Sequence, residues 1–153
     1  MRGASEMKNK TVLLVEDNAD DEALMLRALR KNNIDSNVHV ARDGQQALDF
    51  LFGDPSNQDS QNAAPLPHMV LLDLKLPKID GLEVLQRLRA NERTRTIPVI
   101  VMTSSVEKRD LAQSYSLGAN SYVRKPVDFS QFVEATRQLG LYWLVLNETP
   151  IRD

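Results

Sequence analysis

The chain has 153 residues, 42% of them hydrophobic and 26% charged, enough for one well-buried domain and too few for two ordinary ones. A net charge of -2 with scattered Lys and Arg sets aside nucleic acid and anionic membrane surfaces as partners, and the absence of cysteine sets aside disulfides and thiolate metal sites. No apolar stretch reaches the roughly 20 residues of a membrane span, so the reading is a soluble, cytoplasmic protein.

Residues 1–9 read as a polar lead, and 10–147 as one domain with a short tail at 148–153. Residues 11–15 (TVLLV) form a continuous apolar run, the signature of a strand buried on both faces. Residues 19–31 (ADDEALMLRALRK) follow with Leu24 and Ala28, then Met25 and Leu29, at helical spacing. A second strand is predicted at 37–41 (NVHVA) and a second helix at 43–52. The stretch 53–67 (GDPSNQDSQNAAPLP) is polar and contains proline, which reads as a surface insertion. A third strand runs over 69–73, a third helix over 81–91 and a fourth strand over 99–103 (VIVMT). A fourth helix spans 107–117, where Ser104 and Glu107 have capping-box spacing. A short strand at 121–123 and a last helix from Asp128 complete the chain. Strict alternation of strand and helix predicts an α/β fold, a doubly wound parallel sheet with helices on both faces.

That architecture directs attention to the carboxyl ends of the strands, where such sheets bind ligands. The first strand runs into Glu16 and Asp17, the third ends in Asp73, the fourth ends in Thr103, and the fifth runs into Lys125 and Pro126. Taken singly, Glu16 and Asp17 are acids before a helix, Thr103 a cap and Lys125 a solvated lysine. Taken together, three carboxylates, a hydroxyl and an ammonium converge on one edge. Three carboxylates in one pocket repel unless a cation neutralises them, and Mg²⁺ is the hard cation that combines carboxylates with phosphate oxygens. A carboxylate beside it can attack phosphorus, while Lys125 and Thr103 meet the charge on the transferred group. The set describes a phosphoryl-accepting site.

The motifs LLVEDN at 13–18, LLDLKLPKIDG at 71–81, VIVMTSS at 99–105 and GANSYVRKP at 118–126 resemble those of the receiver domain of two-component response regulators. The resemblance covers about residues 10–138 and implies a five-stranded sheet in the order 2-1-3-4-5, an order for which a chemotaxis receiver is a worked example. It implies Asp73 as phosphoacceptor, Asp17, Asp73 and the Lys75 carbonyl as Mg²⁺ ligands, and Glu16 acting on the metal through water. Thr103 is implied as the switch hydroxyl, Lys125 as the phosphate-binding ammonium, and Tyr122 as the aromatic that rotates on activation. Lys75 and Ser105 occupy positions that tune phosphoryl lifetime. Such a protein is no enzyme beyond its own phosphorylation and dephosphorylation. It takes its phosphoryl group from a sensor histidine kinase and can exchange it with a histidine phosphotransfer protein. The insertion and the tail are similar to those of receivers that serve phytochrome-type kinases.

The segment 139–153 (LGLYWLVLNETPIRD) is more apolar than one helix face can bury in a monomer, which predicts a homodimer through the last helix. Two other readings compete. A haloacid-dehalogenase-like phosphohydrolase wants an Asp two residues after its nucleophile, where this chain has Lys75, and a phosphorylation-independent adaptor has no use for the five convergent groups. No G-x-G-x-x-G or G-x-x-x-x-G-K is present, against nucleotide binding. His39 and His68 are too far apart for a local zinc motif.

Overall fold

Each apolar run becomes a strand. The computed structural model describes residues 10–34, 37–53, 66–125 and 128–140, in which β1 (Val12–Val15), α1 (Ala19–Lys31), β2 (Val38–Ala41), α2 (Gly44–Phe52), β3 (Met69–Leu72), α3 (Gly81–Ala90), β4 (Val99–Thr103), α4 (Lys108–Ser116), β5 (Ser121–Arg124) and α5 (Phe129–Gly140) follow in turn. All four ladders are parallel, in the expected order β2-β1-β3-β4-β5. The segments 54–65 and 141–153, and with them most of the predicted insertion and the apolar tail, lie outside the described residues, as does Pro126.

The three central strands β1, β3 and β4 are apolar and buried up to their carboxyl ends because both faces are covered. Leu13, Val15, Val70, Leu72, Val99 and Val101 pack with Ala47, Leu48 and Leu51 of α2 and with Val84, Leu85 and Leu88 of α3. The alternate residues Val12, Leu14, Met69, Leu71, Ile100 and Met102 pack with Met25, Ala28 and Leu29 of α1 and Phe132 of α5. Each such side chain, fully withdrawn from water, contributes about 1.5–3 kcal/mol before conformational entropy is set against it. On the second face the helices are also tied polar to polar: the buried Asn32 amide donates to Thr136 Oγ1 at 2.9 Å and to the carbonyls of Ala28 and Val133.

Caps set the helix starts. The side chains of Asn18, Asp43 and Asp80 accept from the backbone N–H groups of Asp21, Gln46 and Glu83, and Asp128 accepts from Gln131. The capping box predicted at Ser104 does not form. The cap of α4 is Glu107, which makes no side-chain cap bond. Instead the neighbouring Ser105 hydroxyl accepts from Glu107 N–H at 3.3 Å, because Ser105 turns inward and Ser104 is exposed.

Two other features fix the loops near the sheet's carboxyl edge. Gly81 N–H donates to Leu74 C=O at 2.9 Å, and a Cβ on Gly81 would stand 2.2 Å from the Asp73 carbonyl oxygen; one on Gly44 would stand 1.8 Å from the Ile79 carbonyl oxygen. Both glycines therefore let backbone press against the loop after β3. Gly81→Ala is expected to lower stability by about 1–3 kcal/mol through forced backbone displacement, read as a lower urea midpoint; an unchanged midpoint would show that the loop yields freely. On the other side, the Arg89 guanidinium of α3 donates to the carbonyls of Gly118, Ile97 and Arg95 and to Asn120 Oδ1. Asn120 Oδ1 also accepts Val99 N–H at 2.8 Å, so the starts of β4 and β5 are pinned together.

Candidate functional site

Register brings the predicted residues to one edge. Val15 is paired with Leu72, so the next residues, Glu16 and Asp73, leave neighbouring strands side by side. Asp73 lies one residue past the end of β3 and donates its N–H to Val15 C=O at 3.1 Å, while Lys125 N–H donates to Thr103 C=O at 2.7 Å. Glu16 and Thr103 are fully buried and Asp73 nearly so; Asp17 is exposed.

Carboxylate oxygens of Glu16, Asp17 and Asp73 lie within 4.8 Å of one another. Lys125 Nζ sits among them, 2.7 Å from Glu16 Oε1 and 3.2 Å from Asp73 Oδ2. Its third partner is Asp21 Oδ2 at 2.8 Å, a residue that the sequence presented only as one of several acids in the first turn of α1. Burial pushes the Glu16 carboxyl up to about 7, helped by the charge of Asp73 and held back by the hydrogen bond from Lys125. Burial works against the Lys125 ammonium, but hydrogen bonds to Asp21 and Glu16 outweigh it and hold that group above the usual lysine range. One ammonium thus pairs with three carboxylates, Glu16, Asp21 and Asp73, with Asp17 beside them. Oxygen donors of this type and charge fit a hard divalent cation.

Residues 12–137 match the response regulator receiver domain. The chain belongs to that family. The chain is 50% identical to the bacteriophytochrome response regulator AtBRR, whose structure superposes with a TM-score of 0.69 over 91% of this chain and 98% of that one. It is 40% identical over 139 residues to the probable methanogenesis regulatory protein FilR2 of Methanothrix harundinacea, covering 91% of this chain and 86% of FilR2. Rcp1 of Synechocystis is 36% identical over 135 residues, covering 88% and 89%, and its Mn²⁺-bound structure gives a TM-score of 0.78 over 92% and 99%. The phosphohydrolase reading gives way to this membership: the protein is a response regulator of two-component signalling, similar to regulators that include phytochrome-associated ones, and its acidic cluster has the donor set for a divalent cation.

The remaining predicted residues flank this receiver's cluster. Ser105 N–H donates to Thr103 Oγ1 at 3.3 Å, and the Tyr122 hydroxyl donates to Ser105 C=O at 3.4 Å. Lys75 N–H donates to Asp73 Oδ1 at 3.3 Å. Its Nζ lies 3.6 Å from Asp110 Oδ2, a buried carboxylate that the sequence does not single out. Asp110 was hidden because α4, KRDLAQSYS, offers few apolar residues, and its buried positions are the polar pair Asp110 and Ser114; that shortage was the available signal. His39 stacks on Phe50 with ring centroids 4.1 Å apart, and His68 Nδ1 accepts Thr11 N–H at 3.1 Å. No helix among the described residues is long and apolar enough to cross a membrane.

Proposed function

We propose that the protein is a phosphorylatable switch in which Asp73 takes the phosphoryl group of a sensor histidine kinase. The observation that carries this reading is the Lys125 ammonium held between Glu16 and Asp73 at the carboxyl edge of the sheet. In the transfer, an Asp73 oxygen bonds to phosphorus as the donor's nitrogen–phosphorus bond breaks, and the electron pair stays on the imidazole nitrogen. Glu16, Asp17, Asp73 and the Lys75 carbonyl would hold the cation, Glu16 through water. Mg²⁺ bound there supplies charge neutralisation for the incoming phosphoryl oxygens. Lys125 pairs with one of those oxygens and the Thr103 hydroxyl donates to another.

A phosphoryl group brings about 1.5 to 2 negative charges to the edge. Thr103 turns toward it and leaves Ser105, room opens for the Tyr122 ring, and the surface of α4, β5 and α5 changes. To move this switch from 1:99 to 99:1, phosphorylation must favour the active state by about 5.5 kcal/mol. The chemistry is confined to the protein's own phosphorylation and dephosphorylation. Incubation with acetyl phosphate and Mg²⁺ should give one phosphoryl adduct by intact mass, and chelation of the metal should prevent it; an adduct formed equally well under chelation contradicts the reading.

The likeness to AtBRR, a bacteriophytochrome response regulator, and to RcpA, a phosphorylated cyanobacterial phytochrome response regulator, supports a phytochrome-type kinase as donor; the proposal adds a histidine phosphotransfer protein as a further exchange partner and the cytoplasm as the compartment. The apolar sequence YWLVL at 142–146 supports a homodimer through the region of the last helix. Sedimentation velocity at micromolar concentration should show it, and a monomer with and without phosphorylation rules it out.

A further inference from the structure

Outside the carboxylate cluster, three side chains form a second set of contacts. Asp110 is buried, and its Oδ2 accepts the Ser105 hydroxyl at 2.5 Å and pairs with Lys75 Nζ at 3.6 Å. The hydroxyl bond, working against burial and aided by the Lys75 charge, keeps the Asp110 carboxyl below the usual carboxylate range. Asp110, Lys75 and the metal-site Asp17 line one cleft of about 360 Å³ beside the acceptor. Ser105 in turn holds both switch residues, Thr103 through its N–H and Tyr122 through its carbonyl.

We propose that Asp110 is a positioning residue that parks the Lys75 ammonium away from Asp73 and thereby sets how long the phosphoryl group persists. This rests on Asp73 being the acceptor. Lys75 springs from the rim of that site, since its own N–H already bonds Asp73 Oδ1. Its ammonium then has two anions within reach, the Asp110 carboxylate and a phosphoryl group on Asp73, and contact with one draws it from the other. Asp110 is the fixed partner, buried and held by Ser105, whereas the Lys75 side chain is 63% exposed and free to swing. While Lys75 is parked, the phosphoryl group lies open to the cleft. In hydrolysis a water oxygen bonds to phosphorus as the bond from phosphorus to the Asp73 oxygen breaks, and both water hydrogens leave on the phosphate. An ammonium moved over the phosphoryl group obstructs that approach.

The test uses the full chain, loaded with acetyl phosphate and Mg²⁺, freed of donor, and followed by intact mass. Asp110→Asn keeps an acceptor for Ser105 and removes only the charge that holds Lys75. It should lengthen the adduct half-life by about twofold to fivefold, the range an exposed ion pair commands. In a Lys75→Met background the same substitution should change nothing. Equal lengthening in both backgrounds assigns Asp110 a purely structural role and overturns the proposal, as does an unchanged or shortened half-life in the Lys75 protein. Lys75 is exposed, so the background variant keeps the fold. If wild type forms no adduct at all, the acceptor reading itself has failed, which the half-life comparison alone would not show.

Discussion

Asp73→Asn is expected to abolish covalent phosphorylation while leaving the fold in place. The substitution is isosteric, and the amide oxygen can still accept the Lys75 N–H that now meets Asp73 Oδ1. It also removes one carboxylate from a cluster in which a single ammonium contacts Glu16, Asp21 and Asp73. Repulsion on Glu16, whose carboxyl is pushed up partly by Asp73, is thereby relieved, so stability should hold or rise. What is lost is the nucleophile, because a carboxamide oxygen does not form an acyl phosphate. The measurement is intact mass after acetyl phosphate and Mg²⁺, with urea denaturation of the same samples. Loss of the adduct with an unchanged midpoint assigns the acceptor. An adduct that survives would move it to another carboxylate of the edge, Glu16, Asp17 or Asp21.

The second large effect is expected of Lys125→Met. Lys125 is only 10% exposed and bonds three carboxylates, one of them wholly buried. Removing one partner of a buried ionic cluster costs about 3–5 kcal/mol, since the charges left behind have neither water nor a counter-ion. Glu16 can take up a proton and Asp21 is partly solvated, which places the expected loss of metal-free stability near about 3 kcal/mol. A divalent cation supplies the missing charge, so millimolar Mg²⁺ should restore most of the loss in the variant and stabilise wild type less. Phosphorylation should nonetheless slow by about a hundredfold, as when one donor to a developing charge is removed. Denaturation with and without Mg²⁺ separates the two effects. A variant as stable as wild type without metal would mean that Lys125 is no counter-ion to the cluster.

Much of this is legible in the sequence. Thr103 closes a strand whose every residue is buried, and an unbroken apolar run of that kind has few alternatives. Glu16, Asp73 and Lys125 were found because a parallel sheet delivers strand ends to one edge, which requires only the alternation of elements. The order of the strands came from the resemblance, not from periodicity. Asp21 escaped because the first turn of a helix is where acids belong anyway, and only the fold shows that this one reaches across 104 residues to Lys125. Asp110 escaped for the converse reason: a charged residue in a polar helix signals solvent, and its burial follows from the packing of α4 beside the loop. Capping-box spacing points to Ser104, but spacing carries no information on which serine faces inward.

The pinning of β5 at its beginning has a mechanical result. β5 is the edge of the sheet, bonded to β4 alone, and Arg89 and Asn120 anchor its first turn to α3 and to the start of β4. Tyr122 is its second residue, and its far end leads to Lys125. A strand clamped at one end and loaded at the other is a lever with its fulcrum at Arg89. A shift at the Lys125 end is therefore passed to α5, because Val123 of β5 packs against the core that holds Phe132, while the start of β5 stays tied to α3.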